Sequence, residues 1–319
     1  ERTSMNYAKL KVPGTGVAKC PVLVVESARQ RGEGEGMSKI SEEFEAWGDK
    51  MAADTSVQKE VFVRPELVQL PIWTEPERVL PNAMLRSALF GCARARRFVK
   101  ELRLIACWPD TEIHFSGQTF NQFDEAVWMQ IVHLFRQQGE PEDFKVRFNG
   151  KPFARTLGRR GQSGNDVVQL RQSLIRLLGG VLLIKYKGIE YGGSILNDFT
   201  HDEDRGHFVA TLNDKYLRLL SAGYTRADWE TRKALPTGIA TWMHRYVLSH
   251  RATRNSPHRI GLAQIHELSG MGSQLKEFRR QLKLTMEKLQ KHGVVLEWQI
   301  TSNDALEFIR PPKRFRQLN

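Results

Sequence analysis

The sequence is poor in cysteine, in long apolar runs and in catalytic signatures. Its three cysteines, Cys20, Cys92 and Cys107, lie far apart with no C-x-x-C. They build neither a disulfide framework nor a thiolate zinc site, and they suit a reducing compartment. Apolar stretches such as Val22–Val25 and Val181–Ile184 fall well short of the roughly 20 residues of a membrane-spanning helix. The N-terminal region has scattered lysines but not the sustained apolar core of a signal peptide. A cytoplasmic protein with no membrane partner is expected. No G-x-x-x-x-G-K-[ST] occurs, and Gly150-Lys151 runs into Pro152, which excludes an ATP-binding P-loop. The nine histidines include neither H-E-x-x-H nor a His-hydrophobe-His pair, which speaks against a metal-dependent, tyrosine-using nickase. His201-Asp202-Glu203-Asp204 reads as a solvated acidic loop between strands rather than a metal site. Asp124-Glu125 opens a helix, where carboxylates favour the dipole and the cap. The expectation is no enzyme, with no catalytic residues, cofactor or metal.

What is present is positive charge, and it is unevenly placed. Over 319 residues the net charge is +12, but residues 1–92 carry 12 Lys/Arg against 13 Asp/Glu. Residues 93–319 therefore hold 36 cations against 23 carboxylates, a net of +13. The excess belongs to the part with folded periodicity, and a polyanion is its natural partner.

The periodicity predicts an α+β protein of two tandem winged-helix domains preceded by a flexible N-terminal segment. Residues 1–68 form that segment, with Arg29–Gly36 as a Gly/charge linker and 38–51 as one possible isolated helix. Residues 69–96 are a connecting stretch, 97–223 the first domain and 224–319 the second, ending in a basic tail of Arg310, Lys313, Arg314 and Arg316. In the first domain, Val99–Ala106 and Thr111–Phe115 alternate like strands and Phe123–Gln137 has helical spacing. Lys145–Phe148 is a strand, Lys151–Leu157 a short helix and Asp166–Leu178 an amphipathic helix. Val181–Lys187 and Ile189–Asn197 form a hairpin, read as the wing, and His207–Leu212 returns as a third strand. Arg226–Ala234 and Thr237–His250 read as helices split by Pro236. In the second domain a short helix, Leu262–Leu268, precedes a basic helix, Gln274–Lys291, with Ser273 as N-cap and Gly293 as terminator. Strands Val294–Ile300 and Leu306–Arg310 follow. Short helix, turn, helix and hairpin thus occur twice.

An apolar back and a cationic front mark a helix that packs on one side and approaches phosphates and base edges on the other. In Gln274–Lys291 the back is Leu275, Phe278, Leu282, Met286 and Leu289; the front is Lys276, Arg280 and Lys283, with Arg279 at the border. In Asp166–Leu178 the core side is Val167, Leu170, Leu174 and Leu177. Its solvent side is expected to present Gln169, Gln172, Ser173 and Arg176, with Arg171 nearer the core. Gln pairs bidentately with adenine and Arg with guanine. Arg159 and Arg160, in the preceding turn, suit phosphates, and Lys185 and Lys187 on the wing suit the backbone.

Several stretches resemble TrfA-type plasmid replication initiators. Leu80-Pro-Asn-Ala-Met-Leu-Arg-Ser-Ala-Leu-Phe90 is similar to that family's "MPN…RSALF" segment. Phe115-Ser-Gly-Gln-Thr-Phe followed by Asp124-Glu-Ala-Val-Trp128 resembles its "TG-x-x-L…D-x-x-VW" signature, and Leu174-Ile-Arg-Leu177 resembles part of its first recognition helix. The resemblance spans about 69–310. It implies binding to direct repeats (iterons) in double-stranded DNA at a plasmid origin, origin opening, and recruitment of host proteins such as the sliding clamp, helicase and host initiator. It also implies exchange between monomer and homodimer, and no ATPase or nuclease activity. Gln69-Leu70-Pro71-Ile72-Trp73 resembles the Q-L-[SD]-L-F pentapeptide that docks on the bacterial sliding clamp. There Gln69 bonds at the rim while Leu70, Ile72 and Trp73 fill apolar pockets; a segment that merely packs on the first domain explains the same residues equally well. Another function class also fits: a winged-helix transcriptional regulator or autorepressor with no replication partners. A nucleic-acid enzyme relying on Asp202 or Asp204 is a weaker third.

Overall fold

A computed structural model describes residues 70–93, 96–159 and 164–312. The N-terminal segment, Gln69, Arg160, Lys313, Arg314 and Arg316 lie outside the described residues. The chain from Val68 onward forms one compact unit with two hydrophobic cores.

The first core is organised around one helix. β2 (Phe98–Ile105) and β3 (Thr111–Gln118) lead into α2 (Gln122–Gln137), and ahead of them come β1 (Glu77–Pro81) and the short α1 (Asn82–Leu85). Asn121 starts α2 as a capping box: its side chain accepts from the amides of Phe123 and Asp124, and the Asp124 carboxylate accepts from the Asn121 amide at 2.9 Å. Nearly every α2 side chain from Asp124 to Phe135 is buried, the signature of a helix surrounded by its core. The capping role expected of Asp124 is therefore present, although the carboxylate also serves a second purpose described below.

The winged-helix order then appears twice, with an insertion in the first copy. After α2 come β4 (Lys145–Asn149), α3 (Gly150–Thr156), α4 (Gly164–Gly179), β5 (Val181–Tyr186), β6 (Ile189–Ser194), β7 (Leu196–Asp202) and β8 (His207–Leu212). The strands β4, β8 and β7 form one sheet in that order. In the second copy α7 (Ile239–Leu248) is followed by β10 (His258–Gly261), α8 (Leu262–Leu268), α9 (Leu275–Lys291), β11 (Glu297–Ile300) and β12 (Ala305–Ile309), with sheet order β10-β12-β11. Helix, strand, helix, helix, hairpin, with the last strand central, is common to both.

The equivalence corrects the assignment of the first wing. The hairpin β5–β6, which holds Lys185 and Lys187, pairs with β3 and completes the separate sheet β2-β3-β5-β6. Its two-residue turn suits it to a tight hairpin, since Lys187 and Gly188 both have positive φ. The wing is β7–β8, whose turn falls at 203–206. The acidic segment beginning at His201 lies between strands as expected, with His201 and Asp202 ending β7 and Glu203 and Asp204 in the wing turn. Two adjacent hairpins of similar composition were available, and only their distant partners, β3 and β4, distinguish them.

Two further elements depart from expectation. Arg226 to Asp228 belongs to strand β9 (Tyr224–Asp228), which pairs antiparallel with β1, so Glu77 faces Asp228 and Pro81 faces Tyr224. The helical part begins later, as α6 (Trp229–Ala234). An amphipathic helix α5 (Asp214–Ala222), capped by Asn213, precedes them and buries Tyr216, Leu217, Leu219 and Leu220.

The two cores meet along α2 and α7. Glu125 of α2 accepts from Arg245 of α7 at 2.5 Å and from Arg232 of α6 at 2.9 Å. The Gln122 amide spans Gly238, donating to its carbonyl and accepting from its N–H, both at 2.7 Å. Residues of the 80–90 segment that carries the family resemblance lie in the same contact. Arg245 donates to the Phe90 carbonyl, Trp242 to that of Ser87, and Arg86 to the Ser249 hydroxyl.

Trp108, from the β2–β3 turn, packs edge-on against His250, whose ring lies 4.0 Å from that of His258. Burial pushes His250 down to about 3 and His258 to about 4, and burial likewise holds His244 at about 3. All three are depressed below the unfolded value of 6.5, so between that pH and about 4 the unfolded chain binds more protons than the folded one. Stability should be complete above about pH 7 and fall steadily as pH drops from about 6.5 toward 4. Thermal melts across that range check this, with His250→Phe expected to flatten the slope; a melting point constant down to pH 5 would contradict neutral burial.

Candidate nucleic-acid interface

Helix α4 is amphipathic, but its buried arc is rotated from the expected one. Leu170, Leu174 and Leu177 are buried as expected, while Val167 is half-buried. Ser173 and Arg176, expected to face solvent, are buried as well. The Ser173 hydroxyl donates to Asp124 at 2.6 Å, and Arg176 donates to both oxygens of the same carboxylate through Nε and Nη2. Arg176 is therefore committed to the core and removed from the base-reading set. The physical reason is that α4 packs on α2 along one flank, where a buried carboxylate draws polar partners inward. Arg171, expected near the core, is exposed.

The outward face of α4 consequently reads Val168, Arg171, Gln172 and Ile175, with Gln169 half-buried at its border. Val168 is 51% exposed and Ile175 44%. An exposed Gln and Arg supply bidentate donors for adenine and guanine, while apolar side chains beside them suit thymine methyl groups. Sequence reasoning missed Arg171, Val168 and Ile175, because a wheel centred on the leucines does not reveal which flank a polar partner covers.

In α9, Phe278, Leu282, Met286 and Leu289 are fully buried, whereas Leu275 in the first turn is exposed. Gln274, not Ser273, is the N-cap, with extended backbone and no side-chain cap bond. Gly293 follows with φ 68°, the left-handed conformation of a helix terminator. Lys276, Arg280 and Lys283 are exposed, as expected. Arg280, however, is clasped by Glu277 at 2.6 Å, and its guanidinium holds that carboxyl well down, at about 2. Arg279 is half-buried and bound to Asp304 at the turn of the second wing. Lys276 and Lys283 are the cations of this face with no ion pair to a described residue.

The remaining candidates divide. Arg159 is exposed and lies 5.0 Å over the Phe123 ring. Lys185 is exposed on β5, and Lys187 donates to the Ala222 carbonyl; neither is on the wing. Arg310, expected at the start of the basic tail, donates to the carbonyls of Leu248 and His250 and so locks the chain onto α7.

No family model matches the chain. A search of curated proteins likewise finds no match. Among solved structures the chain is similar to domains 2 and 3 of RctB, at 11% identity with a TM-score of 0.48, over 72% of this chain and 98% of that one. A second structure of RctB domains 2–3 gives 11% and 0.44, over 70% and 95%. The Pi initiator protein in complex with iteron DNA gives 10% and 0.43, over 58% of this chain and 91% of that one. At TM-scores below 0.5 these likenesses carry no argument about this chain.

The clamp-like segment is only partly available. Leu70 is half-buried on the first core, and Ile72 is 75% exposed. Trp73 is 6% exposed: its indole N–H donates to His133 Nδ1 at 2.9 Å and Arg136 lies 4.5 Å over its ring. Arg136 also donates to the Pro71 carbonyl.

The α4 geometry gives a direct test. Gln172→Ala and Arg171→Ala should each relax base preference at one or two positions, by about 1–3 kcal/mol, with unchanged thermal stability. Arg176→Ala should instead lower stability by about 3–5 kcal/mol, because it strands the buried Asp124. Binding-site selection and urea melts on the three variants separate the roles; intact stability in the Arg176 variant would return that residue to the surface.

Proposed function

We propose that this chain is a sequence-specific DNA-binding initiator of plasmid replication. It binds direct repeats at the origin, promotes their opening, and acts by recruiting host replication proteins rather than by catalysis of its own. The observation that carries this reading is the duplicated winged-helix order within one compact unit, each copy exposing a recognition helix. The family resemblance over about 69–310 supplies the biological setting, a bacterial cytoplasm containing the plasmid. Among the described residues no group of three or more His, Cys, Asp or Glu could hold a metal, and no helix is long and apolar enough to cross a membrane.

Two linked modules suit repeat recognition. One recognition helix reaches only a few base pairs, whereas two modules on one body lengthen the site and raise affinity through effective concentration. Footprinting on the DNA flanking the gene, with nonspecific competitor at physiological salt, should show protection repeating at regular intervals over direct repeats. Competitor is essential because a chain of net charge +12 binds any duplex weakly. Protection confined to one inverted repeat at a promoter would sink the initiator reading in favour of a regulator.

One observation favours that regulator: the burial of Trp73 in its own domain, which removes the aromatic end of the clamp-like segment from ready reach. Ile72 offers a test that leaves the core alone. If the pentapeptide docks, Ile72→Asp should abolish capture by immobilised sliding clamp while leaving the melting temperature and DNA footprint unchanged. Capture equal to that of the unsubstituted chain would remove the pentapeptide from the proposal.

A further inference from the structure

Between the two modules lies an open cleft of about 530 Å³. One wall carries Arg159 and Gln169, from the approach to α4 and from α4 itself; the other carries Gln281 and Lys288 of α9; Arg96, just before β2, also lines it. The cleft thus gathers three cations from three separate parts of the chain, and no carboxylate is among its described lining residues. Arg96, Arg159 and Lys288 are exposed and form no ion pair with a described residue. The contrast with the front of α9 is physical: there Glu277 neutralises Arg280 and Asp304 engages Arg279. Behind the cleft, Glu125 is already shared by two arginines, so that network too is net positive. Arg159 is further oriented by its stack on Phe123.

We propose that this cleft is a phosphate site, and that its ligand is the nucleic-acid backbone passing between the segments read by α4 and α9. The proposal rests on the DNA-binding reading above and adds a sequence-independent grip to it. A duplex that enters two recognition helices in succession necessarily presents backbone between the two groove contacts. Unneutralised guanidinium and ammonium groups flanked by Gln amides are the donors that phosphodiester oxygens take. Such contacts fix the register of the protein on the duplex without reading bases, and each displaces condensed counterions.

The test compares Arg96→Ala, Arg159→Ala and Lys288→Ala, singly and combined, on the target duplex and on a random duplex over a series of salt concentrations. Each removal should lower the salt slope by about 0.9, weaken both duplexes by the same factor, and leave base preference intact. Arg159→Lys should keep the slope. A methylphosphonate at one backbone position between the two protected segments should abolish the further loss caused by Arg159→Ala. If the unsubstituted chain binds the target but the triple variant keeps its slope, the cleft proposal is overturned and the DNA-binding reading stands. A change in base preference overturns it equally, since the cleft would then read sequence. If the unsubstituted chain binds no duplex, both fall. Calorimetric titration of the DNA-free protein with inorganic phosphate and with ATP distinguishes the other source of the same chemistry. Binding that depends on Arg159 and Lys288, together with an unaltered salt slope, would reassign the cleft to a free anion and overturn the backbone assignment.

Discussion

Two neighbouring carboxylates on α2, Asp124 and Glu125, hold α4 and the second module in place. Both are buried, and a buried carboxylate is costly unless opposed by charge and fully hydrogen-bonded. Asp124 is opposed by Arg176 and Ser173 on α4, and Glu125 by Arg232 and Arg245 on the elements that lead into the second module. Successive residues of a helix point about 100° apart, so one dipeptide serves two directions at once. Removing either partner of such a pair leaves an uncompensated charge worth about 3–5 kcal/mol, whereas an exposed pair such as Arg280–Glu277 is screened by solvent and holds little of the fold. The inward-facing ions thus set geometry, and the outward-facing ones set the field.

That division explains which cations remain for a polyanion. Arg176, Arg232, Arg245 and Arg310 are all consumed by the fold, through Asp124, Glu125 and the carbonyls at the end of α7. Arg279 and Arg280 are tempered by surface carboxylates. Around α9 the cations left without an ion pair to a described residue are then Lys276 and Lys283 on one side and Lys288, with the other cleft cations, on the other, while Arg171 and Lys185 add exposed charge in the first module. A count of Lys and Arg along a helix overstates its field, because it gives equal weight to cations that are already partnered.

Helix α9 is almost fully legible in the sequence, because its apolar stripe repeats over four turns and one core accounts for it. The helix begins at Leu275, one residue after the expected Gln274, and Leu275 is exposed rather than in the core because the first turn extends beyond the surface that covers Phe278. Helix α4 is legible in position but not in rotation, since Ser173 and Arg176, expected toward solvent, are buried. Its second partner is Asp124, distant in sequence, and nothing in the pattern of Ser173 and Arg176 reveals that they face it. Long-range pairing hides the rest: β9 is a strand because β1 lies beside it, and β5–β6 is not the wing because its neighbour is β3 rather than β4. Local periodicity reports which face of an element is apolar. It does not report which of two polar flanks is buried.

The same limit applies to Gln69–Trp73, where one short segment carries two incompatible uses. Read as an isolated extended peptide, its apolar residues are free to fill a partner's pockets. In the folded chain Ile72 projects into solvent while Trp73 is held by His133 and by the Arg136 guanidinium. A partner that needs only Ile72 and the Leu70 edge meets the segment as it stands. A partner that needs the indole must first extract it, and loss of a buried aromatic costs about 3–5 kcal/mol. Apparent affinity falls by the fraction of chains in the released state, so a cost of about 3 kcal/mol weakens docking by on the order of a hundredfold. Whatever loosens the contact of Trp73 with His133 and Arg136 therefore strengthens such a partner by the same factor, which couples docking through this segment to the integrity of the first core.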